Sequence, residues 1–165
     1  MSGLTLQFPI VPFDCFHPSP AKKFLSLIKS PGTLSPTYIE NTFRELKSLS
    51  PDQILGDWDG FILPTGHPLE SELEELNWVG NTFDSTEDVV PLIIARNGER
   101  VDFEDWGRAS LREIKYQGLV STALVYDEHP TMVYYRAVRS NLVAGAVETK
   151  RFRDKGKCYF YLVKS

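Results

Sequence analysis

The chain has 165 residues, 42% of them hydrophobic and 24% charged, which fits one domain with a substantial buried core and excludes wholesale disorder. Its formal net charge of −4 argues against a general nucleic-acid binder, which needs a positive surface to displace counterions from phosphates. No apolar run is long enough to span a bilayer, and Met1-Ser2-Gly3-Leu4-Thr5-Leu6 lacks the basic start and continuous apolar stretch of a signal peptide, so a cytoplasmic protein without integral membrane association is expected.

Residues 1–20 hold Pro9, Pro12, Pro18 and Pro20 among aromatics and read as an extended arm. Phe8, Phe13 and Phe16 are costly to leave in water, so the arm is expected to lie on the domain formed by residues 21–165, with a homodimer contact as the alternative. A first short helix is expected over Ala21–Ser30. A second has Ser35 as N-cap, Pro36 at its first position and Ile39, Phe43 and Leu46 as its apolar stripe. Gly56–Leu63 then reads as the first strand, ended by the turn-rich Pro64-Thr65-Gly66-His67-Pro68. Glu70–Val79 has a helical pattern, with Leu69, Leu73 and Leu76 on one side. Strand-like runs follow at Val89–Arg96, Arg112–Gln117, Leu119–Tyr126, Met132–Val138, Leu142–Thr149 and Cys158–Val163. Asn97-Gly98 and Asp154-Lys155-Gly156 are hairpin-turn signals. Cys15 and Cys158 stand at opposite ends without metal-like spacing and read as two reduced thiols rather than a disulfide.

Short, evenly spaced strands predict a mainly β fold, a small antiparallel barrel or strongly curved sheet. Leu119–Tyr126 and Leu142–Thr149 are apolar on both faces, so both faces of the sheet are expected to be covered. Helices or the arm would cover the outside. The inside holds either a ligand cavity or packed side chains, and small barrels are filled by side chains equally well.

Leu55-Gly56-Asp57-Trp58-Asp59-Gly60 resembles the GXWXG family, named for that pentapeptide. The resemblance continues through Leu63-Pro64-Thr65-Gly66-His67-Pro68-Leu69, Leu76-Asn77-Trp78-Val79-Gly80 and Phe83-Asp84-Ser85-Thr86-Glu87-Asp88-Val89-Val90-Pro91-Leu92. Tyr116-Gln117-Gly118-Leu119-Val120-Ser121-Thr122-Ala123 and Val125-Tyr126-Asp127-Glu128-His129-Pro130 resemble the family's companion C-terminal domain of unknown function. The first part falls at about residues 50–95 and the second at 110–165. What the resemblance implies is a lipocalin-like antiparallel β-barrel, here with short N-terminal helices, that binds lipids or other hydrophobic small molecules. Members usually carry a basic pair where this chain has Asn81-Thr82, and an Asp-His-Phe-like run where it has Val133-Tyr134-Tyr135. These departures point from a phospholipid toward a more neutral ligand.

His67 is the first catalytic candidate, a neutral imidazole beside the barrel mouth able to shuttle a proton; the alternative is a structural histidine bonded within its loop. Asp57 and Asp59 share the strand face opposite the Trp58 indole and read as a solvent-facing edge or turn caps, with an acid/base dyad of paired carboxylates as the alternative. His129, before a proline, reads as an exposed turn residue. Tyr126 is a candidate donor to a ligand carbonyl. Met132, Tyr134, Arg136 and Val138 share one face of their strand, and Val133, Tyr135 and Ala137 the other. With the first face inward, Tyr134 and Arg136 make an oxyanion-stabilising pair; with the second, Tyr135 lines the interior and Arg136 is a solvated surface charge. The catalytic candidates are thus His67, Tyr126 and Arg136, and the ligand-binding candidates Trp58, Trp78, Tyr116, Tyr134, Tyr135 and Phe160. No metal-ligand spacing, phosphate loop or dinucleotide fingerprint is present, so no cofactor is expected. Two functions remain: a cofactor-free isomerase or cyclase acting on a hydrophobic natural product such as a polyketide or terpenoid, or a non-catalytic carrier of hydrophobic molecules.

Overall fold

Ser35 caps a helix that Pro36 begins, as the sequence predicts: its hydroxyl accepts from the Tyr38 amide at 3.4 Å. In the computed structural model, which describes residues 17–165, this helix is α2 (Pro36–Glu45). It follows α1 (Pro20–Lys29), capped in the same way by Ser19. Most of the expected N-terminal arm, with Phe8, Phe13, Cys15 and Phe16, lies outside the described residues.

A 3-10 turn (Pro51–Ile54) leads into β1 (Gly56–Leu63), which has the expected bounds. Then come α3 (Pro68–Glu75), β2 (Trp78–Phe83), β3 (Val89–Arg96) and β4 (Glu99–Asp102). The remaining strands are β5 (Ala109–Tyr116), β6 (Leu119–Tyr126), β7 (Thr131–Arg139), β8 (Leu142–Thr149) and β9 (Cys158–Lys164). They form one sheet of order β2-β1-β9-β8-β7-β6-β5-β3-β4, and pairing of β2 with β3 closes every strand except β4 into an antiparallel barrel. One seam is thin. β3 touches β5 through the single pair Val89–Ala109, because from Ile93 onward its free edge pairs with β4 instead.

The helical reading of Glu70–Val79 is corrected at its C-terminal end. α3 stops at Glu75, and Asn77 takes a left-handed turn (φ 57°), a conformation asparagine tolerates better than most residues. Trp78 and Val79 then open β2. The aromatic and β-branched pair goes with strand preference rather than with the helical spacing of the leucines before it.

Two apolar clusters hold the structure. One fills the barrel and includes Trp58, Phe83, Tyr135 and Phe160. The other lies on the outside, where Phe24 and Leu27 of α1 and Ile39 and Phe43 of α2 cover Tyr134, Val138, Ala144 and Tyr159. Both faces of the central strands are therefore dry, as their two-sided apolar pattern requires. Among the described residues no helix is long and apolar enough to cross a membrane.

Candidate functional site

The barrel ends are closed differently. At the start of β1 the Trp58 indole is fully buried and donates to the Ile54 carbonyl at 2.6 Å. The Lys164 ammonium lies 5.3 Å from its ring centroid. Trp58 is a plug whose polar atom is already satisfied. Beyond the other end of β1, α3 lays Leu69 and Leu73 into the interior cluster.

Beneath α3 lies a cleft of about 20 Å³, room for about one water molecule. Its walls are Leu69 and Leu73 of α3, Trp78 and Asn81 of β2, Pro91 and Leu92 of β3, and Tyr126, Val133, Val147 and Phe160 from β6 to β9. Trp106, in the loop between β4 and β5, completes it. A site for a drug-sized ligand has several hundred Å³. The rest of the interior is taken by rings seated on bare backbone. A Cβ on Gly60 would stand 2.3 Å from the Trp78 ring, and one on Gly145 2.3 Å from Phe160. Trp78 and Phe160 meet edge to face at 5.4 Å. The second glycine of the pentapeptide therefore makes space for a tryptophan eighteen residues on rather than for a ligand directly.

The ligand-binding candidates separate by face. Trp78 and Phe160 line the cleft. Tyr135 points inward, fully buried against Phe83 and Phe160. Its phenol oxygen lacks a hydrogen-bond partner, and burial pushes its pKa well up. Tyr116 and Tyr134 lie on the outer face, stacked at 3.9 Å, with the Tyr134 hydroxyl donating to Glu148 at 2.8 Å.

The catalytic candidates do not converge. His67 is the N-cap of α3: its Nδ1 accepts from the Leu69 amide at 3.1 Å. Glu70 reaches back to accept from the Thr65, Gly66 and His67 amides. The ring packs edge-on against Phe152. Burial lowers its pKa, with the Gly156 carbonyl and the Glu70 and Glu72 carboxylates acting the other way. A neutral imidazole held this way is a helix cap, and it is not part of the cleft wall. Arg136 is on the outer face, so no inward pair with Tyr134 forms, yet it is not solvated either. It is 1% exposed, lies 5.4 Å from the Phe43 centroid beneath α2 and donates to the Tyr116 carbonyl at 2.7 Å. The outer helices bury the face that an open barrel would leave wet. Tyr126 alone of the three borders the cleft, and burial pushes its phenol up. Asp57 and Asp59 are surface groups, bonded to the Thr82 hydroxyl and to Arg100.

Two residues outside the expected set matter. Trp106 lines both the cleft and an open outer groove that also holds Phe103, Leu76, His129 and Arg151. It stacks on His129 at 4.4 Å with the rings 6° from parallel. The Arg151 guanidinium lies 5.7 Å from its centroid and is held by a two-point contact, 2.8 Å each, to Glu72 of α3. His129 is thus no free turn residue. The available signal was a lone tryptophan between Asp105 and Gly107, an apolar ring in a polar loop.

Comparison with known proteins bears on the family and the fold. The profile described as GXWXG protein matches residues 41–98, and the profile described as Domain of unknown function (DUF4334) matches residues 107–164. A solved structure, a protein from Thermomonospora curvata, is similar over 88% of this chain and 98% of its own, with 29% identity and a TM-score of 0.82. No curated protein matches the chain.

Proposed function

The chain belongs to the GXWXG family, with the companion domain of unknown function behind it, and from that premise we propose that it is a binding protein for a hydrophobic small molecule. The ligand is taken into the barrel past Trp106. The observation that carries this reading is the double position of Trp106, which is at once a wall of the apolar interior and a wall of the outer groove. Swinging that one ring outward joins the two spaces, and the thin seam between β3 and β5 is where the barrel has the fewest backbone bonds to resist widening. His129 below the ring and the Arg151–Glu72 pair beside it hold the closed position.

Carriage is favoured over an isomerase or cyclase by the side chains around the cleft. Acid–base turnover needs a group that exchanges a proton near neutral pH. Tyr126 borders the cleft, but burial moves its phenol further above the neutral range, whereas His67 serves as a helix cap outside the cleft wall. A polyketide or terpenoid remains a suitable ligand class for an apolar interior.

The test is saturable binding of N-phenyl-1-naphthylamine, a neutral apolar dye, to wild type and Trp106→Ala. Wild type is expected to bind with a slow association phase that Trp106→Ala accelerates. Absence of saturable binding in both proteins contradicts the proposal.

A further inference from the structure

Two residues of the cleft wall each carry a buried side-chain atom without a hydrogen-bond partner: Nε1 of Trp78 and Oδ1 of Asn81. Buried polar groups are almost always satisfied, so each such group calls for a reason. Here the two are complementary. An indole nitrogen can only donate and an amide oxygen can only accept. The Asn81 amide cannot be turned to exchange these roles without loss, because its Nδ2 already donates to the Pro91 carbonyl at 2.9 Å. Asn81 is 3% exposed, so solvent does not reach its oxygen freely. Both residues border the same space of about 20 Å³, which takes about one oxygen-sized group.

From this we infer that the ligand is a neutral aliphatic or terpenoid alcohol, recognised end-on by its hydroxyl. The hydroxyl oxygen accepts from Trp78 Nε1 and its proton is donated to Asn81 Oδ1, while the apolar body occupies the space that opens toward the outer groove when the Trp106 ring swings outward. One water molecule meets the same two requirements when no ligand is bound. The other headgroups fit less well. A ketone oxygen accepts from Trp78 but leaves the Asn81 oxygen unsatisfied and facing another acceptor. A carboxylate enters a wall without a single charged side chain, so its lost hydration is not replaced. A hydrocarbon satisfies neither atom.

This inference rests on the reading of the barrel as a hydrophobic-ligand binder, and one experiment separates the two. Octanol, octanone, octanoate and octane, equal in chain length, are used to displace N-phenyl-1-naphthylamine from wild type, Asn81→Leu and Trp78→Phe, each first shown to melt cooperatively. Wild type is expected to prefer octanol over octanone by about tenfold, the effect of one well-placed hydrogen bond, and to bind octanoate more weakly still. Asn81→Leu should lose the preference for octanol and bind octanone at least as tightly as wild type does; Trp78→Phe should weaken both. Equal binding of octanol and octanone by wild type overturns the inference and leaves the binder reading intact, and this comparison needs no variant to fold. Binding of none of the four, with no dye bound, overturns both.

Discussion

Gly80→Ala is expected to abolish cooperative folding, or to cost more than about 4 kcal/mol where a transition survives. Gly80 of β2 pairs with Asp59 of β1 at a φ of 154°, a backbone angle that side-chain-bearing residues rarely adopt. A Cβ added there would lie 1.9 Å from the Trp58 carbonyl oxygen. That oxygen belongs to backbone, and it also accepts from Arg100 at 3.2 Å. No rotamer change relieves the contact, so β1 and β2 must part. The pairing of β2 with β3 is already irregular on both sides of Gly80. Gly60→Ala makes the contrast: its clash is with the Trp78 ring, which can shift at an overpacking cost of about 1–3 kcal/mol. Denaturant unfolding followed by circular dichroism measures both. A Gly80→Ala protein that unfolds within 1 kcal/mol of wild type, roughly the scale of an ordinary substitution, would contradict the close approach.

Trp58→Ala is expected to destabilise the fold by about 3–5 kcal/mol, the usual range for removing a buried tryptophan. The indole is fully buried, and its loss also leaves the Ile54 carbonyl without its donor. The specificity of the cleft should survive, because Trp58 is not part of the cleft wall. Chemical unfolding and dye displacement on the same variant check the two halves: stability falls, and the order octanol over octanone is kept.

Much of this architecture was legible in the sequence because single residues decide it locally. Ser35-Pro36 sets the start of α2, and the limits of β1, β3, β6 and β8 follow from turn residues beside apolar runs. The GXWXG resemblance and the family profiles agree. The illegible parts depend on what packs against a strand. Period-two alternation divides Tyr134 and Arg136 from Tyr135 but cannot say which set is inside. The answer lies with α2, whose Phe43 covers Arg136, so the charge is neither inside the barrel nor solvated. His67 looked chemically free because its partners, the Leu69 amide and the Glu70 cap, are made by the helix it starts. Trp106 is illegible in the sequence because its role comes from position alone, between two spaces formed by distant segments.

The chain has three tryptophans, and each indole N–H stands in a different setting. Trp58 is bonded to a carbonyl, Trp78 is unpartnered in the cleft, and Trp106 stands at the mouth. A proton–nitrogen correlation spectrum recorded while octanol is added reads all three at once. The Trp78 signal should shift as the ligand hydroxyl becomes its acceptor, the Trp106 signal should shift with the same saturation, and the Trp58 signal should stay in place. A titration that moves Trp106 alone, or leaves Trp78 unmoved at saturation, would contradict a ligand held inside the barrel.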